Sequence, residues 1–284
     1  MTDCREALRL RQEMTLEKWD ARIRRANHLA AEFPFAAEAL KFYERLTRYQ
    51  KSLYSEIESA CGKAKVRRLG GTLRGEFDAF LLLPRFDAFL ALIEKNAPAP
   101  LAQATSALRI RGSSQWQELL RRFWESDPSA SAEMPPEDLL ISRLFFQPYA
   151  EYLADYSEWT LPHGTPNVCP LCGGKPLVGV LRPEGDGAKR FLTCFLCAME
   201  WEYRRIVCPS CGEEDVKKLA VYQAKEFPAV RVEACDTCRN YIKTVDQTKE
   251  GHAVPAVDEL ATIPLNLWAA EHDYEKLQTN LLGI

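Results

Sequence analysis

The chain has 284 residues, of which 46% are hydrophobic and 27% charged. These values are ordinary for a folded globular chain, exclude one that is disordered throughout, and give length enough for one large domain or two ordinary ones with buried cores. Lys and Arg number 37 against 40 Asp and Glu, a net charge of −3, which disfavours a generally basic nucleic-acid binder and leaves room only for a local basic patch. No apolar run reaches the roughly 18 residues a spanning helix needs, so no membrane insertion is expected. The densest run, Phe77 to Ile93, is broken by Asp78, Pro84, Arg85 and Asp87. Met1 to Arg11 carries charges where a secretory leader has its apolar block, so the expected compartment is the cytoplasm.

The first 160 residues read as an all-α domain. Leu8, Met14, Leu16, Trp19, Ile23, Ala26 and Leu29 form a weak stripe at helical spacing, interleaved with Arg and Glu. From Phe35, the residues Ala39, Phe42, Leu46, Tyr49, Leu53 and Ile57 paint one face of a second helix, with Pro34 suited to its first turn. Asp78 to Lys95 predicts a helix entered or interrupted at Pro84, and Asn96 to Pro100 a break. Ser114 and Gln117 offer a capping box for a helix carrying Trp116, Leu119, Leu120, Phe123 and Trp124. A loop over Asp127 to Pro136 and a helix over Glu137 to Glu158, with Pro148 as a kink or stop, complete the domain. The aromatic residues read as core, and Arg22, Arg24, Arg25, Lys63, Lys65, Arg67 and Arg68 as a solvated charged face. Cys4 and Cys61 stand alone and receive no role.

Leu161 to Asn167 turns to Pro, Gly and polar residues and marks a linker. Beyond it lie eight of the ten cysteines, as four C-x-x-C pairs: Cys169/Cys172, Cys194/Cys197, Cys208/Cys211 and Cys235/Cys238. In a reducing compartment such spacing favours a metal ion over disulfides, because a two-residue gap lets both sulfurs face one ion. The pairs form a tandem repeat of knuckle, strand, turn, strand, knuckle. Cys-Pro-Leu-Cys-Gly at 169–173 is matched by Cys-Pro-Ser-Cys-Gly at 208–212, with strand-like runs at 175–181, 219–222 and 230–232 and a turn at Glu184-Gly-Asp-Gly187. Gly after the second cysteine can take the positive φ that turns backbone N–H groups toward sulfur, and Lys175, Lys189 and Arg190 are candidates to supply positive field nearby. Each half has only about 30 residues, below the roughly 40 at which chains usually need metal, disulfide or oligomer support. Metal removal is therefore expected to unfold residues 165–250 and spare the helical part.

Four pairs combine into two sites in three ways. Tandem pairing closes the shortest loops and interleaved pairing is the alternative. All-sulfur tetrahedral sites suit zinc or rubredoxin-type iron, and spacing does not separate them. The architecture predicted is α+β: a helical domain at 1–160, two rubredoxin-like or zinc-ribbon-like β modules at 161–207 and 208–250, and a helical tail at 251–284 with two short helices around Pro264. Residues 169–284 hold 14 Lys and Arg against 17 Asp and Glu, so phosphate binding, the common duty of tandem zinc ribbons, is disfavoured and no nucleic-acid partner is expected. The four histidines are scattered and no phosphate loop is present, so no enzyme is expected.

The order Cys-Pro-x-Cys-Gly, Cys-x-x-Cys-x-x-Glu-Trp, Cys-Pro-x-Cys, Cys-x-x-Cys-x-x-Tyr, followed by Val257-Asp-Glu-Leu-Ala-Thr262 and Leu265 to Glu271, resembles the FdhE family of formate dehydrogenase accessory proteins. The likeness is specific over residues 168–272 and compatible with the helical half. It implies a cytoplasmic, chaperone-like maturation factor that binds the catalytic subunit of a molybdenum or tungsten formate dehydrogenase. The eight cysteines then carry over as ligands of two iron ions, with zinc as the alternative, and Glu200, Trp201 and Tyr241 match motif positions as candidate partner-binding residues. A protein-binding ribbon or a rubredoxin-like electron carrier is the alternative reading.

Overall fold

The computed structural model describes residues 2–61, 67–68, 73–74, 79–126, 134–158, 166–280 and 283. The chain divides into two compact units, Met1–Asn27 with Lys41–Thr160, and His28–Leu40 with Leu161–Ile284.

The first unit is helical: α1 (Thr2–Glu32) as far as Asn27, α2 (Ala37–Cys61) from Lys41, α3 (Ala79–Asn96), α4 (Ala99–Arg111), α5 (Ser113–Glu125) and α6 (Pro136–Tyr156), with a short parallel pair of β1 (Arg67–Arg68) and β2 (Ser157–Glu158). Pro34 opens a 3₁₀ turn ahead of α2, as its fixed φ favours. The predicted aromatics form the core, with Phe86 against Phe145 and Trp124 against Phe146, both at 4.8 Å between ring centroids.

Several local expectations are corrected. The stretch from Asn96 breaks only briefly. Pro98 and Pro100 flank the first turn of α4, where a missing N–H costs nothing, and the sequence reading did not anticipate that helix. α5 begins after Gly112 (φ 80°) with no side-chain cap, so the Ser114–Gln117 capping box does not form. Pro84 and Pro148 lie inside continuous helices and end neither of them, each removing a single N–H from the ladder. The loop residues 127–133, the linker residues 161–165 with His163, and Lys63 and Lys65 lie outside the described residues.

Arg22 is not solvated either. It is 8% exposed and forms a two-pronged pair with the fully buried Glu151, at 2.8 and 3.2 Å, and Lys18 reaches the same carboxylate at 3.0 Å. Burial opposes the charge on Glu151, but the two cations outweigh it and hold its carboxyl below the usual range. Glu151→Gln, which strands a buried guanidinium, is expected to destabilise the helical unit by about 3–5 kcal/mol in urea unfolding, and Arg22→Met with Glu151→Leu together to recover most of that loss.

The second unit is a seven-stranded sheet with two helices. β3 (Pro176–Glu184), β4 (Gly187–Cys194) and β5 (Glu200–Glu202) form one antiparallel set. β6 (Leu219–Gln223), β7 (Val230–Cys235) and β8 (Asn240–Asp246) form the other. α7 (Pro255–Ala261), α8 (Ile263–Glu271) and β9 (Glu275–Lys276) follow, with β9 on β8. The strand order β5-β4-β3-β8-β7-β6 joins the sets through a parallel pairing of Gly179, Val180 and Leu181 with Thr244, Val245 and Asp246.

That seam gives the two modules a shared core. Leu177 and Val178 of the first half share a buried cluster with Val230, Val232, Ala234 and Val245 of the second and with Leu265 and Ala269 of α8. Gly179 lies at the seam, where a Cβ would collide with the Thr244 side chain. Gly179→Val is expected to cost about 1–3 kcal/mol by overpacking, read as a lower melting temperature for the C-terminal unit, and Thr244→Ala to relieve part of it.

Candidate metal centres

The four knuckles share one backbone design. In each, the residue after the second cysteine adopts the left-handed region: Gly173 (φ 70°), Ala198 (φ 53°), Gly212 (φ 78°) and Arg239 (φ 58°). This reversal lets the loop close on itself. Gly173 and Gly212 donate to the carbonyls of Cys169 and Cys208 at 2.9 and 3.0 Å, and Arg239 donates to the carbonyl of Cys235 at 2.8 Å. It also aims amides at sulfur: Leu196 N–H donates to Cys194 Sγ and Ser210 N–H to Cys208 Sγ, both at 3.4 Å. The sequence pointed to the two glycines. Ala198 and Arg239 escaped notice because neither residue type signals positive φ, although their offset from the cysteines is the same.

The eight cysteines come together in tandem. Cys169, Cys172, Cys194 and Cys197 form one group and Cys208, Cys211, Cys235 and Cys238 another, each with its sulfurs within 4.8 Å of one another. Close sulfur pairs lie at 3.6 and 3.3 Å in the first group and 3.7 Å twice in the second. A tetrahedral ion with bonds of about 2.3 Å to sulfur requires edges of about 3.8 Å, so both groups have the dimensions and donor set to hold one ion each.

The thiols register this crowding. Hydrogen bonds from Cys169, Cys194 and Cys197 bring Cys172 well below the usual thiol range. Burial raises Cys194, and its hydrogen bonds to Cys169 and Cys172 raise it further. In the second group burial raises Cys208, whereas Cys238, despite its own burial, is brought to about 7 by the backbone and side chain of Asn240. Each group thus sheds one proton readily and keeps others until a cation displaces them.

The two groups differ in access. The first is buried at all four cysteines, between 1% and 3% exposed, whereas in the second Cys211 is exposed and Cys238 half-buried. The predicted positive field is also redirected. Lys189 pairs with Glu184 at 2.9 Å, and Arg190 with Glu233 at 2.6 Å. Of the candidate partner residues, Trp201 is 2% and Tyr241 4% exposed, and the Trp201 indole donates to the Pro166 carbonyl at 3.0 Å. Glu200 sits nearer the surface and accepts from Arg182 Nη2 at 2.6 Å. Two of the three side chains therefore pack the sheet. Among the described residues, no helix is long and apolar enough to cross a membrane.

A helical N-terminal region followed by a knuckle-bearing sheet with two Cys4 groups and a short helical tail defines a two-centre metal-knuckle protein. The chain belongs to the FdhE family. Residues 168–205 match the model of the FdhE central domain and 206–282 that of the FdhE C-terminal domain. It is 28% identical over 271 residues to a protein FdhE homolog of Aquifex aeolicus, covering 90% of this chain and 92% of the relative. It is 32% identical over 216 residues to a homolog of Pseudomonas aeruginosa, covering 70% of this chain and 66% of the relative. The crystal structure of the FdhE protein from Pseudomonas aeruginosa shares the fold, with a TM-score of 0.66 at 22% identity over 94% of this chain and 95% of that one.

Proposed function

We propose that this protein is a non-enzymatic accessory factor for formate dehydrogenase that acts in the cytoplasm, binding the molybdenum- or tungsten-dependent catalytic subunit through its two-centre sheet. The observation that carries the reading is the pair of Cys4 groups set in tandem within residues that match the two FdhE domain models in order. Among the described residues each group offers four sulfurs and no other donor to an ion, which suits a structural or electron-exchanging centre rather than one that activates water. Iron is the proposed occupant and zinc the alternative. The chain's own part is to present the thiolates, quench their charge with knuckle N–H groups and keep the first group dry.

An anaerobic pull-down from formate-grown cells, analysed for metal and for co-purifying proteins, tests the reading. Recovery of a formate dehydrogenase catalytic subunit, with metal at two ions per chain and a visible ferric-thiolate spectrum, is the expected result. Colourless protein with two zinc ions replaces the iron assignment, and recovery of RNA without the dehydrogenase overturns the function.

A further inference from the structure

The sheet of the C-terminal unit has two unlike faces. Strand register places Val232 and Ala234 of β7 with Tyr241 and Lys243 of β8 on the face that α7 and α8 cover. The opposite face carries Arg231 and Glu233, with Val221 of β6 across from Glu233 and Ile242 of β8 on its other side. On this face lies a groove open to solvent, with a cavity of about 180 Å³, walled by the segment from Arg205 to Ser210 and by β6. Its rim is apolar and uncovered: Ile206 is 53%, Val216 64% and Val221 56% exposed.

Charged donors line the same groove. Arg190 is 2% exposed, and it shares the single carboxylate of Glu233 with Arg231, each through a 2.6 Å contact. Its remaining donors reach the carbonyls of Arg204 and Val207, yet its buried Nε has no hydrogen-bond partner. Arg205, exposed on the rim, forms no ion pair among the described residues. Three guanidiniums therefore face one carboxylate. Cys208 and Cys235 also reach the groove, and their sulfurs belong to the second Cys4 group. The exposed guanidinium of Arg205 is open to an incoming carboxylate, which it can hold by a charge-assisted bond.

β6 supplies the last element. It pairs with β7 on one side and, among the described residues, with no strand on the other, and no proline interrupts Leu219–Gln223. Such an edge is a template for another strand. Side chains of an added strand alternate between the two faces. One set falls on the face that carries Val221 and the groove. The other falls on the face of Tyr222, which is 37% exposed. A small anion covers only the first set.

We propose that this groove binds an extended peptide of a protein partner, bearing a carboxylate side chain flanked by apolar residues, as an added strand on β6. The site stands on the groove and the free edge alone, so its failure leaves the accessory-factor reading to its own pull-down. The test uses the full-length protein and a fluorescein-labelled nonapeptide alternating valine with threonine around a central glutamate. Controls carry lysine at the centre or proline at alternate positions. Anisotropy titrations are expected to show saturable binding of the glutamate peptide, roughly tenfold weaker binding of the lysine peptide, and none of the proline one. Arg205→Glu is expected to erase the preference for glutamate and Val221→Asp to abolish binding. Both positions are exposed, and unchanged thermal melts show that the variants fold. Hydrogen exchange should report new protection at 219–223. Equal affinity for the two charged peptides, binding indifferent to Val221→Asp, or no saturable binding by folded protein overturns the proposal.

Discussion

Cys194→Ser is expected to unfold much of the C-terminal unit while the helical unit keeps its protection, and Cys211→Ser is expected to be far milder. A structural zinc site in a small fold contributes roughly 10–16 kcal/mol, more than the whole stability of most domains. The first group is closed to water at all four positions, so loss of one sulfur leaves a vacant coordination site that solvent cannot fill. Cys194 also ends β4, whose partner β3 joins the two halves of the sheet, so disorder there reaches the shared core. Cys211 is exposed, so water can complete the coordination in its place. The same asymmetry orders metal loss. A chelator should strip the second group first, leaving one ion per chain and a largely intact sheet, and the first only as the unit opens. Limited proteolysis with metal stoichiometry at each stage checks both statements. Simultaneous loss of the two ions, or equal damage from the two serine variants, refutes the inequivalence.

Glu259→Gln is expected to cost the C-terminal unit about 3–5 kcal/mol, because it leaves two lysines facing no buried carboxylate. Lys243 and Glu259 are both fully buried and lie 2.9 Å apart, and Lys276 pairs with the same carboxylate. Lys243 also donates to the Thr262 carbonyl and hydroxyl at 3.3 and 3.2 Å, so one ammonium ties β8 to the junction of α7 and α8. Burial opposes ionisation of Glu259, but Lys243 and Lys276 overcome it and hold the carboxyl at about 2. With two cations and one anion the surplus falls on Lys243, which burial, against the pull of Glu259, brings down to about 7. Because Glu259 binds its proton more weakly folded than unfolded, its contribution is complete above about pH 5 and disappears as pH falls toward 2, an acid loss of roughly 3 kcal/mol. Urea unfolding at pH 6 and pH 3 measures it. The wild-type chain should lose about 2 kcal/mol of that stability between the two, the rest going only below pH 3, whereas Glu259→Gln should lose little beyond the general acid response. Parallel losses in the two proteins contradict the assignment.

The cysteine pairing shows how far local spacing reaches. Two sulfurs in a C-x-x-C knuckle lie within one loop, so the eight candidate ligands were legible, and closure across about 20 intervening residues favoured tandem grouping on entropy, but only the folded sheet decides it against interleaving. The helices of the first unit were legible for the same reason, since a repeat of three or four residues reports the buried face of a single element. α4 was hidden by its prolines, which mark a break in the helix interior and an entry at its first turn. Arg22 was hidden by its type, since nothing near it in sequence announces a carboxylate 129 residues away.

The amino-acid sequence alone singled out the eight sulfurs and their four knuckles and left tandem against interleaved grouping open, because knuckles, hairpins and helical stripes depend on residues close along the chain while the pairing of knuckles does not. Only the tertiary structure decided that the two halves share one sheet through Gly179 and Thr244, that one Cys4 group is sealed and the other open, and that Trp201 and Tyr241 face inward. Those outcomes depend on which strand edges meet and which faces the helices cover, and such contacts between distant segments leave no periodic trace in a single chain.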